Sequence, residues 1–277
     1  MDENGKILFD THCHLNDASY KEDFEAFITS IEASKIRYLV DIGTDLEDSR
    51  LTAENSEKYP FCYAAVGIWP GNTTDLAENT IDELAKLLER PRVVALGEIG
   101  LDYHYEDTDR ESQKLWFAKQ VRLAVAMKKP ICIHSREADD DTMRILKENG
   151  AFSAERLACF PKRRDGSPDA RVLLHCFSSS AELARQYASL GADISIAGPV
   201  TYKNARKAVE VVQTVDISRL TAETDSPYLT PVPLRGTRNT PVNVELTVRK
   251  IAEIKGITFE EAALATLENG CRFYGIK

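Results

Sequence analysis

The sequence predicts a TIM-type (β/α)8 barrel, folded as a single domain. Three observations lead there. Eight short apolar or β-branched runs alternate with longer segments of helical period, the pattern of a parallel sheet whose strands are joined by helices. The chain has 277 residues, a length at which such barrels form one domain. The first run is followed by "HLNDASY", without the glycine-rich phosphate loop that an open doubly wound sheet usually carries there.

In chain order, the runs are "KILFDTHCHL", "RYLVDIGTD", "FCYAAVGIWP", "VVALGEIGLDY", "PICIHSR", "RVLLHCFS", "ADISIAGPV" and "RLTAETDSPY". Between them lie amphipathic stretches such as "ESQKLWFAKQVRLAVAMKK", whose Trp116 and Phe117 read as core, and "ELARQYASLG". The final segment, "ITFEEAALATLENGCRFYG", reads as a closing helix capped near Gly275. The acidic stretch at 138–141 reads as a helix start, where negative charge complements the dipole. One region breaks the rhythm. Residues 151–170, "AFSAERLACFPKRRDGSPDA", exceed an ordinary αβ connection and read as a solvated insertion. The sharper reading makes Lys162, Arg163 and Arg164 a contact for a polyanion.

Composition bounds the function. Hydrophobic residues make up 43% and charged residues 29%, the balance of a water-soluble chain. The net charge of −9 excludes a broad basic face. If the chain meets a polyanion, metal ions or a few local Arg and Lys must supply the positive charge. Cys13, Cys62, Cys132, Cys159, Cys176 and Cys271 form no CxxC pair and read as reduced thiols, so a cytoplasmic location is expected. The opening "MDENGK" lacks a signal-peptide pattern, and no apolar run is long enough to span a membrane.

Polar residues are unexpected in strands buried on both faces, yet here they end the runs. His12 and His14 end the first, Glu98 the fourth, His134 the fifth, His175 the sixth and Asp225 the eighth. In a barrel, strand ends of this polarity converge on one face, where active sites lie. His104, the fifth histidine, lies just past the fourth run. Clustered His, Asp and Glu form the usual ligand set for a divalent ion. Strand alternation puts Asp10, His12 and His14 on one face, with Thr11 and Cys13 on the other. Cys13 is then a packing thiol, and Asp10 is placed to orient an imidazole from behind. The same alternation turns Cys176 away from the side that carries His175. Six candidate ligands suit two divalent ions, with Mg, Mn and Zn as candidates, better than one.

The motifs "FDTHCHL" (9–15), "GEIGLDY" (97–103), "IHSREA" (133–138), "LHCFS" (174–178), "ETDSPYL" (223–229) and "RGTRNTP" (235–241) occur in order. With them the chain resembles the TatD-type metal-dependent deoxyribonucleases of the amidohydrolase superfamily, over nearly its whole length. The resemblance implies a TIM-like barrel and hydrolysis of DNA phosphodiesters, often as a 3′–5′ exonuclease. It makes His12, His14, Glu98, His134, His175 and Asp225 the metal set, with Glu98 and Asp225 catalytic. Single-stranded DNA or frayed ends would be the substrate. The family usually has Gly-x-His-Pro after the third strand, where this chain reads "GIWP" with Trp69. Tryptophan cannot bind a metal but can stack on a base. Arg235, Arg238 and Asn239 are expected to contact substrate, as are, more weakly, Tyr103, His104 and Arg136. Two rival readings use the same residues: a metal-dependent ester or amide hydrolase, such as a D-aminoacyl-tRNA deacylase, and a metal-binding scaffold without turnover.

Overall fold

A computed structural model describes residues 5–105 and 109–277. The polar lead at 1–4 lies outside the described residues. The strands are β1 (Leu8–Cys13), β2 (Ile36–Ile42), β3 (Cys62–Val66), β4 (Val93–Asp102), β5 (Ile131–Arg136), β6 (Val172–Leu174), β7 (Asp193–Ile196) and β8 (Leu220–Ala222). The helices are α1 (Phe24–Glu32), α2 (Leu46–Lys58), α3 (Thr80–Leu88), α4 (Arg110–Ala126), α5 (Asp139–Glu148), α6 (Ala154–Leu157), α7 (Ala181–Ser189), α8 (Arg206–Thr214), α9 (Val244–Lys255) and α10 (Phe259–Tyr274).

The strands pair in parallel, in the order β1 to β8. At the seam, the His14 amide donates to Ser226 O and the Asp225 amide to His12 O, each at 2.9 Å, which nearly closes the ring. The fold is the (β/α)8 barrel in one domain that the alternation of runs predicts.

The barrel is filled rather than hollow. Phe9, Val40, Ala65, Ala95, Cys132 and Leu173 form an inner cluster with Phe273 and Tyr274 from the end of α10. The Tyr274 hydroxyl donates to Thr11 O at 2.8 Å, so this polar group is satisfied inside the core. Helix α10 is secured at both ends. Thr258 and Glu261 form a capping box, and Gly275 takes the left-handed conformation (φ +71°) that ends it. A larger apolar cluster lies between the strands and the helices, where Phe117 and Val121 of α4 are buried. Fully burying a phenylalanine contributes roughly 1.5–3 kcal/mol.

Gly100 is a position where only glycine fits. Its φ is +148°, and a Cβ there would come within 1.8 Å of His134 O. That close approach brings β4 and β5 together at the level of Glu98 and His134.

Residues 151–170 are solvated in part, but their place in the barrel differs from that of a polyanion contact. They follow α5 and precede β6, so they lie at the opposite end of the barrel from the polar strand tips. Arg163 is buried, not solvated, and its guanidinium meets Asp193 at 2.5 Å and Ser218 O at 2.9 Å. Arg156 is also buried and donates to Ala170 O and Lys129 O. Of the charge run, Lys162 and Arg164 are exposed. The charge run closes the base of the barrel and stands far from any substrate at the strand tips.

Candidate metal centre

The C-terminal strand ends bring His12, His14, Glu98, His175 and Asp225 together. Two overlapping triples, His12–His14–Asp225 and His12–Glu98–His175, each hold their ligand atoms within 4.8 Å of one another. The His12 and His175 rings stack at 3.9 Å, and His14 meets His12 edge-on at 5.1 Å. His14 donates from Nδ1 to Ile42 O at 3.1 Å, which turns Nε2 toward Asp225 Oδ1 at 3.5 Å. His134 belongs to neither triple but adjoins them. Its Nδ1 is 2.6 Å from Glu98 Oε1 and 3.2 Å from His175 Nε2.

The electrostatics suit a cation. His12 is fully buried, and its Nε2 lacks a hydrogen-bond partner. The nearest carboxylate oxygens, on Glu98 and Asp225, stand at 3.6 and 3.7 Å, beyond hydrogen-bonding range. Burial, with the His175 charge, also lowers the His12 imidazole, favouring the neutral form that a metal requires. Glu98 is buried, which opposes its charge. His175, His12 and His134 nevertheless hold its carboxyl well below the usual range. Asp225 follows the same logic, with burial overcome by His14, His175 and His12. Burial opposes the His14 charge, yet Asp225 and Glu98 raise it to about 9. An unpartnered neutral imidazole nitrogen facing two ionised carboxylates is a donor set that fits a divalent ion.

Two residues that sequence reasoning missed hold these imidazoles from behind. Asp102 Oδ2 is 3.0 Å from His134 Nε2. Glu223 Oε1 is 3.2 Å from His175 Nδ1 and accepts the Cys176 amide at 2.6 Å. Carboxylates in this position set the tautomer and orientation of metal-binding histidines. A signal existed for Glu223, because alternation in "ETD" puts it on the side of Asp225.

Alternation fails elsewhere. The β1–β2 pairing is irregular between Asp10 and Cys13. Among the described residues Asp10 reaches the backbone amide of His12, at 3.3 Å, and no imidazole nitrogen. It accepts from the Thr224 amide at 2.8 Å and from the Thr224 hydroxyl, and so holds the tip of β8 just before Asp225. Cys132 is the residue against His12, with Sγ 3.5 Å from Nδ1. Cys13 is a buried packing thiol, as expected. Strand β6 ends at Leu174, Cys176 has φ +42°, and burial and the charges of Asp225, Glu223 and Glu98 raise its thiol.

The expected substrate residues divide. Trp69 stands edge-on to the His134 ring at 6.1 Å. A Cβ at Gly71 would lie 1.7 Å from the Trp69 ring, so glycine there makes room for it. Arg136 and Arg235 are exposed on the rim, Arg235 over the Tyr202 ring at 4.5 Å. Tyr103 donates to Asp141 at 2.7 Å, and His104 pairs with Glu137 at 2.7 Å. Arg238 is held by Asp23 and lies over Tyr20, so its guanidinium is already engaged. Asn239 is fully buried. It donates to Thr224 O and Tyr228 O and accepts from Thr240 and Asn243. Asn239 and Arg238 therefore hold the loop after β8, and Asn239 has no surface to offer a substrate.

The TatD related DNase family profile matches residues 9–275. An uncharacterized metal-dependent hydrolase, YabD of Bacillus subtilis, is 40% identical over 98% of this chain and 100% of its own length. The uncharacterized metal-dependent hydrolase TatD of Mycobacterium tuberculosis is 35% identical, over 97% of this chain and 98% of its own. Among solved structures, the TatD homolog YJJV from Escherichia coli superposes with a TM-score of 0.86 at 27% identity, covering 98% of this chain and 99% of its own. The chain belongs to the TatD family of metal-dependent hydrolases.

Proposed function

We propose that the chain hydrolyses DNA phosphodiesters, as a 3′–5′ exonuclease on single strands or frayed ends, with two divalent ions of the Mg, Mn or Zn type. His12, His14, Glu98, His134, His175 and Asp225 are the ligands in this reading. The observation that carries it is the pair of overlapping triples sharing His12, with a carboxylate in each. When bound, such ions polarise phosphoryl oxygens and make a water acidic enough to attack.

The chain's own residues do the rest. Asp225 is held ionised by three imidazoles and takes the proton of the attacking water from its Oδ1 side. Glu98 lies between the His12–His14 side and the His134–His175 side and balances the charge gathered there. Asp102 and Glu223 fix the rings of His134 and His175. Trp69, edge-on to His134, offers a face on which a terminal base can stack.

The test is release of nucleotides from end-labelled single-stranded DNA, with Mg or Mn supplied or chelated. Metal-dependent release from the 3′ end supports the reading. Turnover of an aminoacyl ester without release of nucleotides would replace it with the acyl-hydrolase reading. Metal binding with no turnover of either would leave a scaffold.

A further inference from the structure

Charge is distributed unevenly around the rim that surrounds the strand tips. The segments after β2, β3 and β5 are acidic: Asp45, Glu47 and Asp48, then Asp75 and Glu78, then Glu137, Asp139, Asp140 and Asp141, with no Lys or Arg in 43–48, 67–79 or 137–141. The segments after β7 and β8 are the reverse. Residues 197–209 and 226–240 contain no Asp or Glu and carry Lys203, Arg206, Lys207, Arg235 and Arg238. Arg238 is paired with Asp23, whereas Lys203, Arg206, Lys207 and Arg235 make no ion pair with a described residue.

Two further features coincide with this sector. A cleft of about 720 Å³ opens between the start of α8 and α9, lined by Tyr202, Lys203, Asn204, Arg206, Gln213 and Lys250. Glu210 also lines it, and Lys250 is paired with Glu253 at 2.6 Å. The loop after β8 also exposes Tyr228, Val232 and Leu234, large apolar side chains at 54%, 43% and 41% exposure. The Tyr228 ring stands 6.2 Å from that of His14, so the apolar surface begins at the metal centre. Cations without an ion pair beside exposed aromatic and apolar surface are what single-stranded nucleic acid requires, charge for phosphates and faces for unpaired bases.

We propose that this sector is the path of the DNA strand away from the scissile bond: bases rest on Tyr228 and its apolar neighbours, while Arg235, Lys203 and Arg206 hold successive phosphates toward the cleft. The inference rests on the nuclease reading. It explains how a chain of net charge −9 grips a polyanion: residues 197–209 and 226–240 carry basic residues and no carboxylate, and Glu210 is the carboxylate that lines the cleft beyond them.

The test uses metal-loaded protein, a long single-stranded thymidine oligomer and a thymidine dinucleotide. Lys203→Ala/Arg206→Ala should raise KM for the oligomer roughly tenfold and reduce the slope of log affinity against log salt by about 1.4, that is ~0.7 for each lost phosphate contact. Dinucleotide cleavage should be unchanged. The control Lys162→Ala/Arg164→Ala removes equal charge at the other end of the barrel and should behave as wild type. Unchanged oligomer kinetics in the first variant, or equal loss in the control, would overturn the inference while leaving the nuclease reading intact. A loss seen only with an RNA oligomer would overturn the assignment to DNA. A wild-type protein that cleaves neither thymidine substrate would overturn the nuclease reading, and this inference with it.

Discussion

The two ends of the barrel both bury carboxylates, and they neutralise them differently. At the base, Asp169 and Asp193 are buried among guanidinium groups. Arg272 reaches both, at 2.5 and 2.6 Å, Arg163 meets Asp193 at 2.5 Å, and Arg171 meets Asp169 at 3.0 Å. Each anion there has a permanent cation of the protein's own. At the top, Glu98, Asp102, Glu223 and Asp225 share the imidazoles of His12, His14, His134 and His175, and none makes an ion pair with a Lys or Arg among the described residues. Imidazole charge is conditional on pH, and one ring nitrogen, His12 Nε2, has no partner. The base is complete as folded, whereas the top is arranged for cations from outside.

The difference can be broken from either side. The largest effect is expected at the top. Glu98→Ala removes the carboxylate that faces four imidazoles and should reduce kcat on single-stranded DNA by on the order of 10³-fold or more, with the fold retained by circular dichroism. At the base, Asp193→Ala strands Arg163 without its close anion and leaves Arg272 with Asp169 alone. It should cost about 3–5 kcal/mol of stability in urea denaturation while leaving metal affinity unchanged. Glu223→Gln sharpens the contrast at smaller scale. It keeps the shape but removes the charge behind His175, and metal affinity by calorimetry should fall about 10–100-fold.

The pH response should also separate the two ends. His14 is raised from its ordinary 6.5 to about 9. In metal-free protein its contribution to stability is complete below pH 6.5 and is lost as pH rises through about 9. Metal must displace that proton, so metal affinity should rise over the same interval while metal-free stability falls. Burial opposes the Asp169 charge, but Arg272, Arg171 and Arg163 lower its carboxyl below 3.8. Its contribution is complete above 3.8 and is lost as pH falls through the lowered value. Metal-free melting temperatures across pH 2–10, with metal titrations from pH 6 to 9, check both signs.

The strand tips of the barrel were legible because polar groups ending apolar runs stand out against a core composition. The carboxylates behind them were less so. Asp102 and Glu223 sit in the same motifs as Glu98 and Asp225; alternation puts Glu223 on the side of Asp225 but does not say that it takes a ring nitrogen of His175. Strict alternation does not govern Asp10 or Cys176, because β1 has an irregular register and β6 ends before His175. Arg163 looked like surface charge because its partner Asp193 is distant in sequence and meets it only when β7 is laid into the barrel. Asn239 reads as a ligand to substrate because it follows the exposed Arg235 and Arg238, yet its amide binds the loop's own backbone.

The most direct test is a titration of metal-free protein with Mn, followed by calorimetry and by elemental analysis after dialysis. Wild type should bind the ion with proton release and gain thermal stability in step with occupancy. Glu98→Ala should lose that binding, and the destabilised Asp193→Ala should keep it. Absence of binding in wild type, or full binding in Glu98→Ala, would contradict the view that the top of the barrel is built around external cations.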